Sequence, residues 1–297
     1  MLFARQTISQ PQYDGNTIIS TYDRSHQTDL SGRKAMTLEV LISCMHQIDW
    51  SIIQRSNIQT DVLIINQCDH DCIKQYSFNN QNGQLCHAKM VCTTQRGLSR
   101  SRNMALQYAT GDICLFCDDD EVLEDKYYDI IHKAFKDYTD YNLIAFRLVY
   151  SRKTFPNTQQ TYNRFTSGKL SSAQLAFKRD MILQTGVLFD EQLGSGTGNG
   201  GGEETKWLYQ LLSKRKIKVI YLPVLIANIA DGNSMWFKGY NECYFVNYGW
   251  TIRRIYGMIL GAIFLCYHIV SHRKLYAPYC GIGDVCKYIT RGFFEKR

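Results

Sequence analysis

From Leu38 onward, short apolar or β-branched runs alternate with stretches of helical character. LEVLISC, DVLII, AKMVC and DICLFC are nearly continuous apolar segments bounded by polar residues, which predicts strands buried on both faces. A helix from about Ser99 to Tyr108 precedes the last of these, and the series reads as parallel strands joined by crossovers. After Asp120, the positions Leu123, Tyr127, Ile130, Ala134 and Tyr138 recur at three or four residues, the period of an amphipathic helix. A strand at NLIAFRLVY, a helix from about Glu203 to Ser213 and a strand at IKVIYLP complete an α/β pattern. The 21 residues from Ser151 to Ser171 are polar and without a period, so they are expected to form a long working loop.

Both ends depart from that pattern. Residues 1–35 are rich in Ser, Thr, Gln and Asp and read as a polar extension, so the folded domain, and with it a second translation start, is expected at Met36. In the stretch 236–297, sixteen mostly apolar residues from Ile255 to Val270 are bracketed by Arg253 and Arg254 on one side and Arg273 and Lys274 on the other. A bilayer-spanning helix needs about 20 such residues, so two readings stand: a buried core helix, or a helix in the membrane interface anchored by Trp236 and Trp250. The expected organisation is therefore an extension (1–35), an α/β domain (36–235) and a basic, apolar C-terminal segment (236–297).

Charge sharpens the second reading. The chain carries 34 Lys and Arg against 27 Asp and Glu, a net +7, and residues 250–297 hold eight of the basic and two of the acidic side chains. The remainder, 26 against 25, is close to neutral, so no nucleic-acid partner is expected and the excess suits an anionic lipid surface touched by 251–297. A hydrophobic content of 45% with only 4 Pro excludes a disordered chain. Eleven Cys without an apolar leader in MLFARQTISQPQ predict free thiols in a reducing compartment, the cytoplasm, peripheral to the inner face of the membrane. Zinc has to be weighed, because Cys114 and Cys117 form a CxxC downstream of Cys68, His70, Cys72, Cys86 and His87. Residues three apart on a strand face opposite sides, however, and that pair cannot chelate one ion.

In an open parallel sheet, ligands bind beyond the carboxyl ends of the strands. Here those ends supply Ser43, Cys44 and His46, then Asn66, Gln67 and Asp69, then Asp118, Asp119 and Asp120. Three adjacent carboxylates repel one another unless solvent or a hard cation compensates, and Mg²⁺ or Mn²⁺ shared with phosphate oxygens would do so. The alternative is that DDDE simply starts the following helix. Arg96, Arg100 and Arg102, at a helix start on the same edge, suit phosphate or are solvated surface groups. Six Gly between Gly194 and Gly202 precede Glu203 and Glu204. No strand precedes the GxGxxG and no GK[ST] follows, so neither a dinucleotide site nor a P-loop is expected. What remains is a loop delivering two carboxylates, either a helix cap or a general base for a hydroxyl nucleophile.

Taken together, RGLSRSRNMALQYATGDICLFCDDDE and FDEQLGSGTGNGGGEETKWLYQLL resemble the bacterial family 2 glycosyltransferases of GT-A fold, particularly those of capsular and exopolysaccharide synthesis, over roughly Thr37 to Trp236. The resemblance implies a GT-A-type, Rossmann-like, mostly parallel sheet flanked by helices, here with a helical C-terminal extension. It implies that Asp118 and Asp120 stand at the DxD positions, with Asp120 the direct metal ligand, and that Glu204 is the catalytic base with Glu203 beside it. Nucleotide-sugar contacts are implied for Ser43, His46, Asn66, Gln67, Arg96, Arg102, Asp118 and Asp119. Ser43 and His46 replace the family's usual Pro and Asn, and Asn66-Gln67 replaces two Asp. The family's downstream His has Asn228 or Asp231 as its nearest stand-in. The implied activity is metal-assisted inverting transfer of a sugar from a nucleotide-diphosphate donor to a hydroxyl of a saccharide or lipid-linked saccharide. A nucleotidyltransferase and a non-catalytic membrane-associated scaffold are the alternatives. The reading requires Asp118–Asp120 and Glu203–Glu204 to come together in space.

Overall fold

A computed structural model describes residues 36–151, 153–230 and 239–297. The extension 1–35, Asp231 and Trp236 lie outside the described residues. In chain order the elements are β1 (Leu38–Met45), α1 (Ser51–Arg55), β2 (Asp61–Gln67), β3 (Cys72–Asn79), β4 (Leu85–Thr93), α2 (Leu98–Tyr108), β5 (Ile113–Asp118), β6 (Glu121–Leu123) and α3 (Tyr127–Asp137). There follow β7 (Leu143–Val149), β8 (Gln160–Tyr162), β9 (Leu175–Lys178), α4 (Arg179–Leu183), α5 (Glu203–Leu211), β10 (Val219–Ile229), α6 (Glu242–Ser271), α7 (Arg273–Tyr276) and α8 (Ile282–Phe294).

The strands form one sheet in the order β3-β4-β2-β1-β5-β9-β7-β10-β6, with β8 on β10. β4, β2, β1 and β5 run parallel to one another, as do β7 and β10. β9 is antiparallel to both β5 and β7, and β3, β6 and β8 are also antiparallel to their neighbours. The predicted parallel strands are all present, and the antiparallel ones are those the sequence pattern passed over. β3 is an exposed edge, so it lacks the apolar run of a buried strand. β6, β8 and β9 have only three or four residues each, too short to show a period.

Alternation along the strands fills two cores. Val40, Ile42 and Ile64 point to a face covered by α1 and α3, through Ile52, Tyr127, Ile131 and Phe135. Leu41, Leu63 and Ile65 point to the face covered by α2, α4 and α5, through Ala105, Leu106, Ile182, Trp207 and Leu211. Cys117 lies in the first core and Cys114 in the second, as period-two geometry requires, and all eleven Cys are free. The parallel strands β1, β2, β4 and β5 end side by side, which places Ser43, Asn66, Gln67, Thr93 and Asp118 together.

Met36–Arg297 forms one unit, into which the C-terminal helices are joined. Arg254 of α6 makes a bidentate ion pair with Asp190, and Lys206 of α5 pairs with the same carboxylate. Burial alone would raise Asp190, but the hydrogen bonds from Arg254 and Lys206 outweigh it and hold the carboxyl down at about 2. Trp250 is 4% exposed, packs with Leu193 and Ile255, and lies under the guanidinium groups of Arg254 and Arg297. This corrects the expectation that Trp250 anchors in a membrane interface: its ring is spent on the protein's own core.

The apolar run divides between the protein interior and solvent. Within α6 the backbone leaves helical geometry at Gly257 (φ 75°, ψ −165°), which breaks the element into two helices. Ile255, Gly261, Leu265 and His268 are buried, whereas Ile259, Ile263, Tyr267 and Val270 are 79%, 61%, 66% and 74% exposed. Among the described residues α6 is long and apolar enough to cross a membrane by length and composition. The part after the break, however, spans only about 21 Å at 1.5 Å per residue, short of the ~30 Å hydrocarbon thickness.

Candidate active site

The acidic triplet and the acid pair meet through one arginine. Arg102, 3% exposed on α2, donates from Nη2 to Asp118 Oδ1 at 3.1 Å and from Nη1 to Glu203 Oε1 at 3.3 Å. Carboxylates 85 positions apart in the chain (203 − 118) therefore share one buried guanidinium.

Local structure explains the convergence. One face of α2 is stitched to the segment before α5: Ser99 Oγ donates to Leu193 O (2.6 Å), Leu98 N–H to Ser195 O (3.1 Å), and the Asn103 amide exchanges bonds with the Phe189 backbone (2.8 and 3.0 Å). The glycine run makes the fit possible. Gly194 has φ +101°, and a Cβ there would lie 3.1 Å from Ser99 Oγ and 3.2 Å from Glu203 Cδ. Gly202 caps α5 at φ +103°, where a Cβ would meet Thr251 Cγ2 at 2.8 Å. Behind the acids, Trp207 stacks on Phe189 (4.6 Å, 11°) and both contact Phe116, which fixes α5 against the end of β5.

Charge in this pocket is only partly answered. Glu203 is 2% exposed; burial first and the adjacent Glu204 second raise its carboxyl, against the pull of Arg102. Glu203 Oε2 and Glu204 Oε2 are buried with no hydrogen-bond partner. Glu121, 1% exposed, accepts the Asp118 N–H at 2.8 Å through Oε2 while Oε1 has no partner, and burial followed by Asp118's charge pushes it well up. Asp119 and Asp120 lie at the surface, where partial loss of water and then Asp118 raise both. Glu121 is the residue that sequence reasoning left out; its signal was its place as the fourth acid of DDDE.

Asp118 and Asp120 are the hard oxygen donors that Mg²⁺ or Mn²⁺ takes, although among the described residues no three carboxylates bring their oxygens within 4.8 Å of one another. The carboxylates do not form a closed cage. That suits a cation bound by one or two protein carboxylates and completed by phosphate oxygens.

The other expected site residues divide. Ser43 pairs with Asp118 in the β1–β5 register and accepts from Ser101 Oγ (2.9 Å), so it lies beside the acids. His46 is exposed with φ 52°, just past β1, its N–H on Gln67 O. Asn66 is 1% exposed and spends its amide on Gln47, accepting from its N–H (2.9 Å) and donating to its carbonyl (2.7 Å). Gln67 accepts the Gly97 N–H (2.8 Å). Arg96 binds Cys68 O, Thr94 O and Asp69, and Arg100 binds Glu191. Of the arginines, Arg102 is therefore the one brought to the acids. Asn228 donates to Glu124 Oε1 (2.6 Å), and the next turn of chain reaches the triplet through Ala230 N–H on Asp120 O (3.0 Å).

The expected long loop also encloses space. A cavity of about 430 Å³ is lined by Lys153, Phe155, Tyr162, Lys169 and Tyr221. It adjoins α5, because Gly168 on its wall packs against Thr205.

The family model described as Glycosyl transferase family 2 matches residues 33–192, 160 of the 297 residues (192 − 33 + 1). No curated protein matches the chain. Among solved structures, S. aureus TarS 1-349 in complex with UDP-GlcNAc is similar at 13% identity and TM-score 0.57, over 86% of this chain and 79% of that one. GalNAc-T7 with UDP, GalNAc and Mn²⁺ is similar at 13% identity and TM-score 0.51, over 88% of this chain and 55% of that one. At these identities the likeness establishes the GT-A-like fold, as expected from the sequence.

Proposed function

The chain belongs to glycosyl transferase family 2, and on that premise we propose that it is an inverting transferase that moves a sugar from a nucleotide-diphosphate donor to an acceptor hydroxyl. The observation that carries the proposal is Arg102 bridging Asp118 and Glu203, which joins the donor-side acids to the acceptor-side pair. Solved proteins of similar fold hold UDP-GlcNAc, or UDP with GalNAc and Mn²⁺.

Asp118 and Asp120 would hold Mg²⁺ or Mn²⁺; when bound, the ion neutralises the leaving nucleoside diphosphate and orients it. Arg102 holds the Asp118 carboxylate in place through its Nη2 contact. Ser43 and Asp119 border the same strand ends, while Asn66, Gln67 and Arg96 act by holding the loops around the donor, since their polar groups are engaged within the protein. Glu204 takes the acceptor proton as its oxygen attacks the anomeric carbon in line. Glu203 is committed to Arg102, whereas Glu204 is only partly buried and keeps an unpartnered oxygen. The cavity beside Thr205 suits the acceptor saccharide, with Phe155, Tyr162, Tyr221, Lys153 and Lys169 in its lining.

The acceptor is a lipid-linked saccharide at the cytoplasmic face, in the synthesis of a capsular or related cell-surface polysaccharide. Ile259, Ile263, Tyr267 and Val270 form one exposed apolar face, and the exposed Arg273 and Lys274 follow it. Such a face dips into an anionic bilayer surface without spanning it.

A panel of sugar nucleotides, assayed with and without Mn²⁺, tests the activity. Metal-dependent release of a nucleoside diphosphate is expected. Release of pyrophosphate instead would indicate nucleotidyl transfer, and no turnover of any donor would leave a binding scaffold. Flotation with anionic liposomes, with and without Ile259→Ser/Ile263→Ser, tests the membrane face; equal flotation would remove it.

A further inference from the structure

We propose that Cys68, His70 and Cys92 form a binding site for a thiophilic divalent cation, Zn²⁺ by preference, which staples the β2–β3 connection to the end of β4. Among the described residues this is the set of three His, Cys, Asp or Glu donors whose ligating atoms all lie within 4.8 Å of one another. Cys68 Sγ and His70 Nδ1 are already 3.9 Å apart. Tetrahedral bonds of about 2.3 Å to sulfur and 2.1 Å to nitrogen place such ligands roughly 3.6–3.8 Å apart, so closing the set needs a shift of about 1 Å. Side-chain torsions supply that without moving the backbone.

The backbone around the three donors is fixed by independent bonds. Cys68 N–H donates to Thr93 O (2.8 Å), Arg96 Nη1 donates to Cys68 O (2.9 Å), and Thr94 N–H donates to Asp71 Oδ1 (2.6 Å). Cys92 lies directly beside Asn66 in the β2–β4 register. The Asn66 amide, 3.6 Å from Cys92 Sγ, is placed to donate to a thiolate, the outer hydrogen bond that orients a metal ligand. The two sulfurs are buried and His70 is exposed, which gives an entry path from solvent to a dry pair of soft ligands. Sulfur and imidazole select Zn²⁺ over the Mg²⁺ or Mn²⁺ suited to the carboxylates, so the two sites are chemically distinct.

On binding, each thiol releases its proton to solvent as its sulfur bonds the ion, and His70 ligates as neutral imidazole. Three protein ligands leave a fourth position for water. The pattern was hidden in the sequence because Cys92 belongs to a different strand, 24 residues beyond Cys68 (92 − 68).

The test uses the full chain, reduced and metal-free, titrated with Co²⁺ and then Zn²⁺. One Co²⁺ per chain is expected, with thiolate-to-metal charge-transfer absorption that Zn²⁺ bleaches. Cys68→Ser and Cys92→Ser should each abolish that absorption. His70→Ala, a surface change that leaves the fold intact, should weaken binding at least about tenfold. Cys286→Ser, at an exposed position on α8, should change nothing. Zn²⁺ should raise the Tm of the parent protein and not that of Cys68→Ser/Cys92→Ser. The proposal is overturned if Co²⁺ gives no thiolate absorption, if His70→Ala binds as tightly as the parent, or if mass spectrometry finds a Cys68–Cys92 disulfide as the resting state.

Discussion

The two walls of the strand-end edge are built on opposite principles. At the ends of β2 and β4, polar side chains are spent inward: Asn66 on Gln47, Gln67 on Gly97, Arg96 on four carbonyls and Asp69. At the end of β5 and the start of α5, acids crowd around one guanidinium, and Glu121, Glu203 and Glu204 each keep a buried oxygen with no partner. A satisfied network rigidifies, whereas unsatisfied buried charge is tolerated only where a ligand or a proton completes it. The two walls differ in how their polar groups are satisfied rather than in residue type.

Breaking the chemical wall should cost activity first. Glu204→Gln should lower transfer by about 10²–10⁴-fold while the protein unfolds at the parent temperature. Asp120→Asn should lower metal-dependent turnover by about 10²-fold or more, since a bound ion contributes several kcal/mol to charge stabilisation. Both are read by nucleoside diphosphate release.

The shared arginine sets the next scale. Removing it with Arg102→Met strands Glu203 in the core and should cost about 3–5 kcal/mol in denaturant unfolding. Adding Glu203→Gln should restore part of that loss. Equal instability of the single and double variants would mean that the guanidinium does not compensate Glu203.

Gly194→Ala should cost about 1–3 kcal/mol, from a strained positive φ and a crowded Cβ, and should disturb Glu203 more than any neighbouring glycine does. The smallest effect is at Glu121. Its raised carboxyl binds the proton more tightly folded than unfolded, so its stabilising contribution is present below the ordinary carboxylate range and is lost as pH rises through the folded value. Glu121→Gln should therefore flatten that dependence and, without metal, make the protein relatively more stable as pH rises. Thermal melts across pH 5–8 read the difference.

How far the sequence anticipated this division depends on range. The parallel strands were legible from their apolar runs, and α2, α3 and α5 from shorter apolar stripes, although the expected first member of the α3 stripe, Leu123, belongs to β6 and the helix starts only at Tyr127. β10 ran six residues past the expected IKVIYLP, its ladder shifting register around Pro223, which has no N–H to give. DDDE and EET stood out in the sequence by repeating one charge. That Arg102, rather than Arg96 or Arg100, faces them was not legible, because three arginines at a helix start differ only in which way the helix turns them. Trp250 and Arg254 misled for a similar reason: an aromatic and a cation beside an apolar run look the same whether they meet lipid or, as here, Asp190 and Leu193.

The most direct measurement is calorimetric titration of UDP and GDP, each with Mn²⁺, into the parent protein, Glu204→Gln and Asp120→Asn. One nucleotide should bind the parent and Glu204→Gln alike and lose its Mn²⁺-dependent affinity in Asp120→Asn. Equal binding by all three proteins, or loss in Glu204→Gln alone, would contradict this.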